Sequence, residues 1–249
     1  MKDLFLADAH LKDPAAPAYR HLLDFLDEQH GQLRTLVLLG DIFEFWVGYR
    51  SCVFSAYLPV LQRLQRLHEQ GTRLVVVEGN HDFHLGPFFR DSLQATIIPN
   101  RGRLELDGCA IHLEHGDLIN ADQGYLWLRR FFRSRLARGL IRILPPDVTW
   151  HIGEVLGNGS RRRHHQHDDH SRSKRLPQTA LRSQAEQAFA KGCRAFLCGH
   201  FHHSWQQTLR VNQQSCELLV VGDWGTDGSY VELCDGQFLP KQYRPGDWP

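Results

Sequence analysis

A chain of 249 residues with 42% hydrophobic and 23% charged residues has the composition of a globular protein and enough apolar material for one large core, so one domain over 1–249 is expected. Its formal net charge of +1 excludes a global field that would by itself draw it to nucleic acid, leaving only local segregation of charge. The six cysteines are scattered without a CxxC pair, which reads as thiols of a reducing compartment and excludes a disulfide framework.

In chain order, the opening apolar run at 3–7 is too short for the core of a signal peptide, and no later run approaches the ~18 apolar residues of a membrane span; a cytoplasmic protein is expected. The same run predicts a strand, as do the branched runs at 35–39 and 73–77. Amphipathic stretches at 18–29 and 55–70, the second closed by Gly71, predict the helices between them. In such a βαβαβ pattern the chemistry collects at the carboxyl ends of the strands. Runs at 103–106 and 110–113 flank Asp107-Gly108, a hairpin signal. A helix is expected over 124–144, ended by Pro145-Pro146, and another from Pro177 to 190. Between them, 158–175 is polar, basic and His-rich, and its run at 161–170 reads as a loop in preference to a third metal site. Segments 194–198, 204–210, 217–221, 229–233 and 237–242 are expected to complete the chain as mainly antiparallel strands.

Sixteen histidines raise the expectation of a metal site, and five short motifs locate it. They are Asp8-Ala9-His10, Gly40-Asp41, Gly79-Asn80-His81-Asp82, His115-Gly116-Asp117 and Gly199-His200-Phe201-His202. Each alone is weak, because a single His at a strand end is more often hydrogen-bonded than a ligand. All five in this order, each behind its own strand, point to divalent cations. Oxygen and imidazole donors suit Mn(II), Zn(II) or Fe(II), and the lack of Cys in the motifs argues against a closed structural zinc site.

At these residues the chain resembles the calcineurin-like metallophosphoesterases, whose pattern is D-x-H, GD-x-x-D, GNH-D/E, H-G-D and G-H-x-H. The resemblance implies an α/β fold, a four-layer α-β-β-α sandwich with the metals held in loops. It assigns Asp8, His10, Asp41 and His202 to one cation, and Asp41, Asn80, His115 and His200 to the other, with Asp41 bridging. Two divalent ions are implied, with Mn(II) the expected identity. Together they outweigh the two carboxylates, so the site attracts a phosphodiester or pyrophosphate, activates water and stabilises an in-line displacement. His81 is implied as the catalytic histidine that contacts the phosphoryl group or protonates the leaving oxygen. Its partner in the pattern, the second acid of GD-x-x-D, is here Glu44. Asp82 and Asp117 either orient ligand histidines or cap turns.

A narrower resemblance links 40–48, GDIFEFWVG, to the GD-x-F-E-x-W-x-G signature of UDP-2,3-diacylglucosamine pyrophosphatases of lipid A assembly. The stretches 80–86, 121–125 and 222–229 extend it, with His81 placing the chain in a branch without the Arg of the best-known members. This resemblance implies hydrolysis of a nucleotide-sugar lipid to UMP and 2,3-diacylglucosamine 1-phosphate, with Asn80, His81, Asp122, Lys174 and His200 contacting substrate. A related phosphodiesterase or nucleotide pyrophosphatase with another substrate is the alternative. A non-enzymatic scaffold on the same fold has little reason to keep His81 and every ligand.

The stretch 125–144 interleaves Leu126, Trp127, Phe131, Phe132, Leu136, Leu140, Ile141, Ile143 and Leu144 with six arginines and no acid. By itself it reads as a packed helix with a solvated cationic face, or as one meeting an anionic membrane or acyl chains. The resemblance favours the second, since those enzymes carry a helical insertion here, about 122–176 in this chain, as a lid. The expected partners are the lipid substrate and the anionic inner-membrane surface, bound peripherally from the cytoplasm; no nucleic acid is expected.

Overall fold

The three central strands of the first sheet are apolar on both faces, and the alternation decides which core each residue enters. Leu4 and Leu6 of β1 (Lys2–Leu6), Leu36 and Leu38 of β2 (Leu33–Leu38), and Leu74 and Val76 of β3 (Arg73–Val77) pack on one side. They meet Tyr19, Leu22, Phe25 and Leu26 of α1 (Pro17–Glu28) and Val60, Leu61, Leu64 and Leu67 of α2 (Leu58–Glu69). Phe5, Val37 and Val75 face the other way, against Leu104, Ile111, Leu113, Ala195, Leu197 and Leu219 of a second sheet. That sheet's outer face buries Phe196, Cys198, Leu218 and Val220 under Leu181, Ala185, Ala188 and Phe189. The layers therefore run helix, sheet, sheet, helix, as expected, and double burial explains the continuous apolar runs of the strands. The computed structural model describes residues 1–153 and 176–245; the expected loop at 158–175, its run at 161–170 and Lys174 lie outside the described residues.

The first sheet has the order β11-β10-β1-β2-β3-β4, with β1 to β4 parallel and β10 (Ser229–Cys234) and β11 (Gln237–Gln242) antiparallel. β4 (Thr96–Ile98) is a three-residue edge strand too short to stand out in the sequence, and a π-helical turn at Phe88–Ser92 precedes it. The second sheet has the order β5-β6-β7-β9-β8. Of the last five strands, expected to be mainly antiparallel, β8 pairs with β9 and β10 with β1 and β11 in that sense, whereas β7 (Ala195–Cys198) lies parallel to both its neighbours, β6 (Cys109–Glu114) and β9 (Gln214–Val220). The helical segment after β6 and the helix α6 (Gln178–Ala190) form the crossover that parallel neighbours require, and β8 (Trp205–Val211) takes the edge and returns as β9. Asn212 and Gln213 make that return with φ of 50° and 63°. β5 (Arg101–Leu106) and β6 form the expected hairpin about Asp107-Gly108.

The helix expected over 124–144 is two helices, α3 (Gln123–Phe132) and α4 (Arg135–Ile143). Ser134 causes the break: it turns to an extended ψ of 158° and its Oγ accepts the Ala137 N–H at 3.1 Å, a side-chain N-cap inside an otherwise apolar pattern. Pro145-Pro146 ends α4 as expected, but helix resumes as α5 over 146–153, where Pro146 occupies a first-turn position needing no N–H. The parallel strands of both sheets deliver Asp8, Asp41, Asn80, His115 and His200 just beyond their carboxyl ends, which is what brings five distant motifs together.

Candidate metal centre

Five of the motif residues leave their strands in the left-handed region: Asp8 (φ 54°), His10 (44°), Asp41 (53°), His200 (72°) and His202 (53°). Non-glycine residues rarely adopt it, and the accumulation here stores backbone strain at one place. Gly79 and Gly199 answer a different need, close approach. A Cβ on Gly79 would lie 2.2 Å from Asp41 Oδ1, and one on Gly199 would lie 2.7 Å from Asp8 Oδ2.

Asp8 and Asp41 each spend one oxygen on the main chain and turn the other inward. Asp8 Oδ2 accepts the His200 N–H at 2.8 Å, and Asp41 Oδ1 accepts the His81 N–H at 2.9 Å. Asp41 Oδ2 faces His115 Nε2 at 3.4 Å and His10 Nε2 and His81 Nε2 at 4.0 Å each. The imidazoles are aimed the same way. The Nδ1 atoms of His115 and His81 meet the main-chain oxygens of Leu39 and Glu44 at 2.8 Å, and that of His202 meets Asp223 Oδ2 at 2.6 Å. Those contacts fix the tautomer and leave Nε2 for the centre.

Two donor groups result, Asp8 with His10 and His202, and Asp41 with His115 and His200, each with ligand atoms within 4.8 Å of one another. Asn80 Oδ1 lies 3.0 Å from His115 Nε2, beside the second group. Asp8 Oδ1 and His10 Nε2 are buried without a hydrogen-bond partner among the described residues. Orphaned buried acceptors of this kind are what divalent cations would satisfy, so the residues present fit the expected ions. Burial pushes the Asp8 carboxyl up to about 7 and His10 down to about 4. His200 falls to about 3 by burial and the neighbouring His115, while His115, although burial opposes it, is lifted to about 10 by Asp41. A cation would take the place of the protons on Asp8 and His115, since it binds carboxylates and neutral imidazoles, and burial already keeps His10 and His200 neutral.

The other expected site residues divide. The Glu44 main-chain oxygen holds His81, while its carboxylate lies 3.8 Å from His10 Nδ1, forming a third group of His10, Glu44 and His81. Asp82 serves the turns: its oxygens accept N–H groups of Asp41 (2.9 Å), Ile42 (2.7 Å), Gly79 (2.9 Å) and Phe43 (3.3 Å). Burial and the nearby Asp41 raise it to about 7 against those donors. Asp117 accepts from Tyr125 Oη and Arg129 Nε. Asp122 is exposed and N-caps α3, accepting the Tyr125 N–H at 2.8 Å. The residue that sequence reasoning missed is Asp223, which orients His202 while capping the short helix α7 (Trp224–Asp227). Its only signal was its place in the 222–229 stretch.

Residues 1–204 match the sequence model of the calcineurin-like phosphoesterases. The chain belongs to that family. As a phosphoesterase it is a hydrolase of phosphate ester or anhydride bonds. Its relatives include proteins named UDP-2,3-diacylglucosamine hydrolase. That from Pseudomonas paraeruginosa is 30% identical over 236 residues, covering 94% of this chain and 95% of the relative. That from Ectopseudomonas mendocina is 30% identical over 241 residues, covering 94% of each, and that from Pseudomonas putida is 29% identical, covering 94% and 96%. Among solved structures an archaeal phosphodiesterase superposes with a TM-score of 0.50 at 14% identity, covering 97% of this chain and 99% of that one, a likeness of fold alone. The phosphoesterase has no helix among the described residues long and apolar enough to cross a membrane.

Proposed function

We propose that this phosphoesterase hydrolyses the pyrophosphate of UDP-2,3-diacylglucosamine, releasing UMP and 2,3-diacylglucosamine 1-phosphate, in lipid A biosynthesis. The observation that carries the reading is that relatives bearing that name match along almost the whole chain, including the helical segment outside the motifs. Asp8, His10, Asp41, Asn80, His115, His200 and His202 hold two divalent cations in this reading, with Mn(II) suited to the oxygen and imidazole donors. When bound, the cations supply Lewis-acid polarisation of the phosphoryl oxygens and activation of water.

The chain's own part is positioning and proton transfer. His81 Nδ1 donates to the Glu44 main-chain oxygen at 2.8 Å, so Nε2 is the ring atom left for the substrate. It acts there as the group that contacts the phosphoryl oxygen and delivers a proton to the leaving oxygen. Asn80 and His200 touch the same phosphoryl region, with Asp122 and Lys174 reaching the nucleotide-sugar. The expected insertion at 122–176, of which 122–153 lies among the described residues, serves in this reading to cover the acyl chains, within a single domain. Its exposed Trp127, Leu128, Phe131, Leu136, Leu140 and Ile143, with Arg130 and Arg135 exposed among them, support a peripheral stay on an anionic inner membrane, from the cytoplasm.

The deciding assay is UMP release by the Mn(II)-loaded protein from UDP-2,3-diacylglucosamine and from the unacylated UDP-sugar. A strong preference for the acylated compound is expected; equal rates would sink the lipid reading. His81→Ala should lower kcat by about 10²–10⁴-fold with metal content intact. Loss of metal instead would make His81 a ligand, with the His10, Glu44 and His81 group as its site.

A further inference from the structure

Two arginines of the helical segment, Arg129 and Arg133, are largely withdrawn from solvent, and a third, the exposed Arg138, is hydrogen-bonded back to the body. Arg133 donates to Glu78 Oε2 at 2.8 Å and to the Gly79 main-chain oxygen at 2.8 Å, and also reaches the Pro99 main-chain oxygen. Arg129 Nε donates to Asp117 Oδ2 at 2.5 Å, the same oxygen that takes the Tyr125 hydroxyl at 2.6 Å, and its other arm reaches Asn100 Oδ1 at 2.9 Å. Arg138 donates to His84 Nδ1 at 3.1 Å, while His84 Nε2 meets the Phe132 main-chain oxygen at 3.1 Å, in the kink between the two helices. Both main ion pairs are largely out of water: side-chain exposure is 13% for each arginine, 7% for Glu78 and 4% for Asp117.

The partners are not generic surface acids. Glu78 and Gly79 directly precede Asn80, and Asp117 lies two residues after His115, so α3 grips the two loops that carry ligands of the second donor group. The Gly79 carbonyl belongs to the peptide unit that joins it to Asn80, and the Gly79 N–H is held from the other side by Asp82 at 2.9 Å. Glu78 Oε1 meanwhile accepts the Leu85 N–H at 3.2 Å, closing the far end of the same loop. A bidentate guanidinium at that point fixes an orientation that a single ammonium would not. Asp8 and His10 have no comparable tie to α3 or α4 among the described contacts.

We infer that Arg133 and Arg129 are positioning residues for one of the two cations: through the Glu78–Gly79 main chain and Asp117 they set Asn80 and His115, so that the helical segment is part of the metal centre and not only a cover for substrate. The inference rests on the two-cation reading above. It separates two jobs that the segment could do, because a soluble diester without acyl chains needs the first and not the second.

The test uses the full chain, stripped of metal and titrated with Mn(II) by calorimetry, and assays hydrolysis of bis(p-nitrophenyl) phosphate. Arg133→Met should weaken one of the two Mn(II) ions by about 10–100-fold and leave the other within about twofold. It should lower kcat on the small diester with little change in KM, and Arg133→Lys should recover part of both. Arg129→Met should act on the same ion. Should Arg133→Met fold poorly, the double variant Glu78→Gln with Arg133→Met removes both buried charges together and should still show the selective loss. Wild-type Mn(II) binding and wild-type kcat on the diester in the folded variants would overturn the inference, as would equal weakening of both ions. A wild-type protein that binds fewer than two Mn(II) ions would overturn the two-cation reading itself, and the inference with it.

Discussion

The strand-end loops and the helical segment after β6 follow opposite rules. In the loops, main-chain N–H groups, carboxylates and imidazoles are buried and interlocked, and the chain accepts left-handed backbone at Asp8, His10, Asp41, His200 and His202 to achieve it. In α3 and α4 the largest apolar side chains stand in water, with Trp127 73% and Leu136 77% exposed, while arginines are tucked underneath. The first region stores strain and unsatisfied polarity against a ligand of high charge; the second stores exposed apolar surface against a ligand of low polarity. A lipid joined to a pyrophosphate is the kind of molecule that satisfies both.

The largest expected effect tests the interlocking. Asp82→Ala strips the acceptor from four main-chain N–H groups, three of them on the Asp41 loop, and should destabilise the protein by about 3–5 kcal/mol, read by urea denaturation. Asp82→Asn keeps an acceptor oxygen and should cost about 1–2 kcal/mol. A cost below about 1 kcal/mol for Asp82→Ala would mean that the loops hold their shape without it.

Next in size is the cation contribution. Mn(II) at 100 times its Kd should stabilise the fold by about 2.7 kcal/mol per site, and chelation should lower Tm by roughly 5–10 °C. Loss of activity on chelation without a shift in Tm would argue that the centre is already relaxed without cations, against the strain read from its backbone. Asp223→Ala should follow, weakening Mn(II) by about 10–100-fold because His202 loses the carboxylate that aims it. Unchanged affinity would reduce Asp223 to the cap of α7.

The contrast also explains what was legible in the sequence. The two sheets and four layers came only through the family resemblance that the motifs carry, whereas most strands and every motif were legible, because apolar runs and the short polar motifs behind them are local signals. Pairing direction in the second sheet was not, since whether β9 lies beside β7 or beyond β8 depends on which strand takes the edge. The break between α3 and α4 rests on one serine whose hydroxyl competes with the apolar pattern. Asp223 escaped because an acid that caps a short helix looks the same whether or not a histidine stands beside it. The arginines of α3 were counted correctly, yet their division into buried and exposed sets follows from three-dimensional neighbours, Glu78 and Asp117, that no spacing rule links to them.

The smallest expected effect on stability is the sharpest test of the second rule. Trp127→Ser and Leu136→Ser remove apolar side chains that are already in water, so each should change unfolding free energy by no more than about 0.5 kcal/mol. Ser is a weaker helix former than Leu by a few tenths of a kcal/mol, which falls inside that range. The same changes should raise KM for the diacylated substrate while leaving hydrolysis of bis(p-nitrophenyl) phosphate untouched, since both side chains stand mostly in solvent. A loss of more than about 1.5 kcal/mol for Trp127→Ser would show that this face is covered in solution, because only a side chain removed from water on folding contributes on that scale. The apolar surface of α3 and α4 would then belong to the folded body or to a second copy of the chain, and the exposed region would obey the same rule as the buried one.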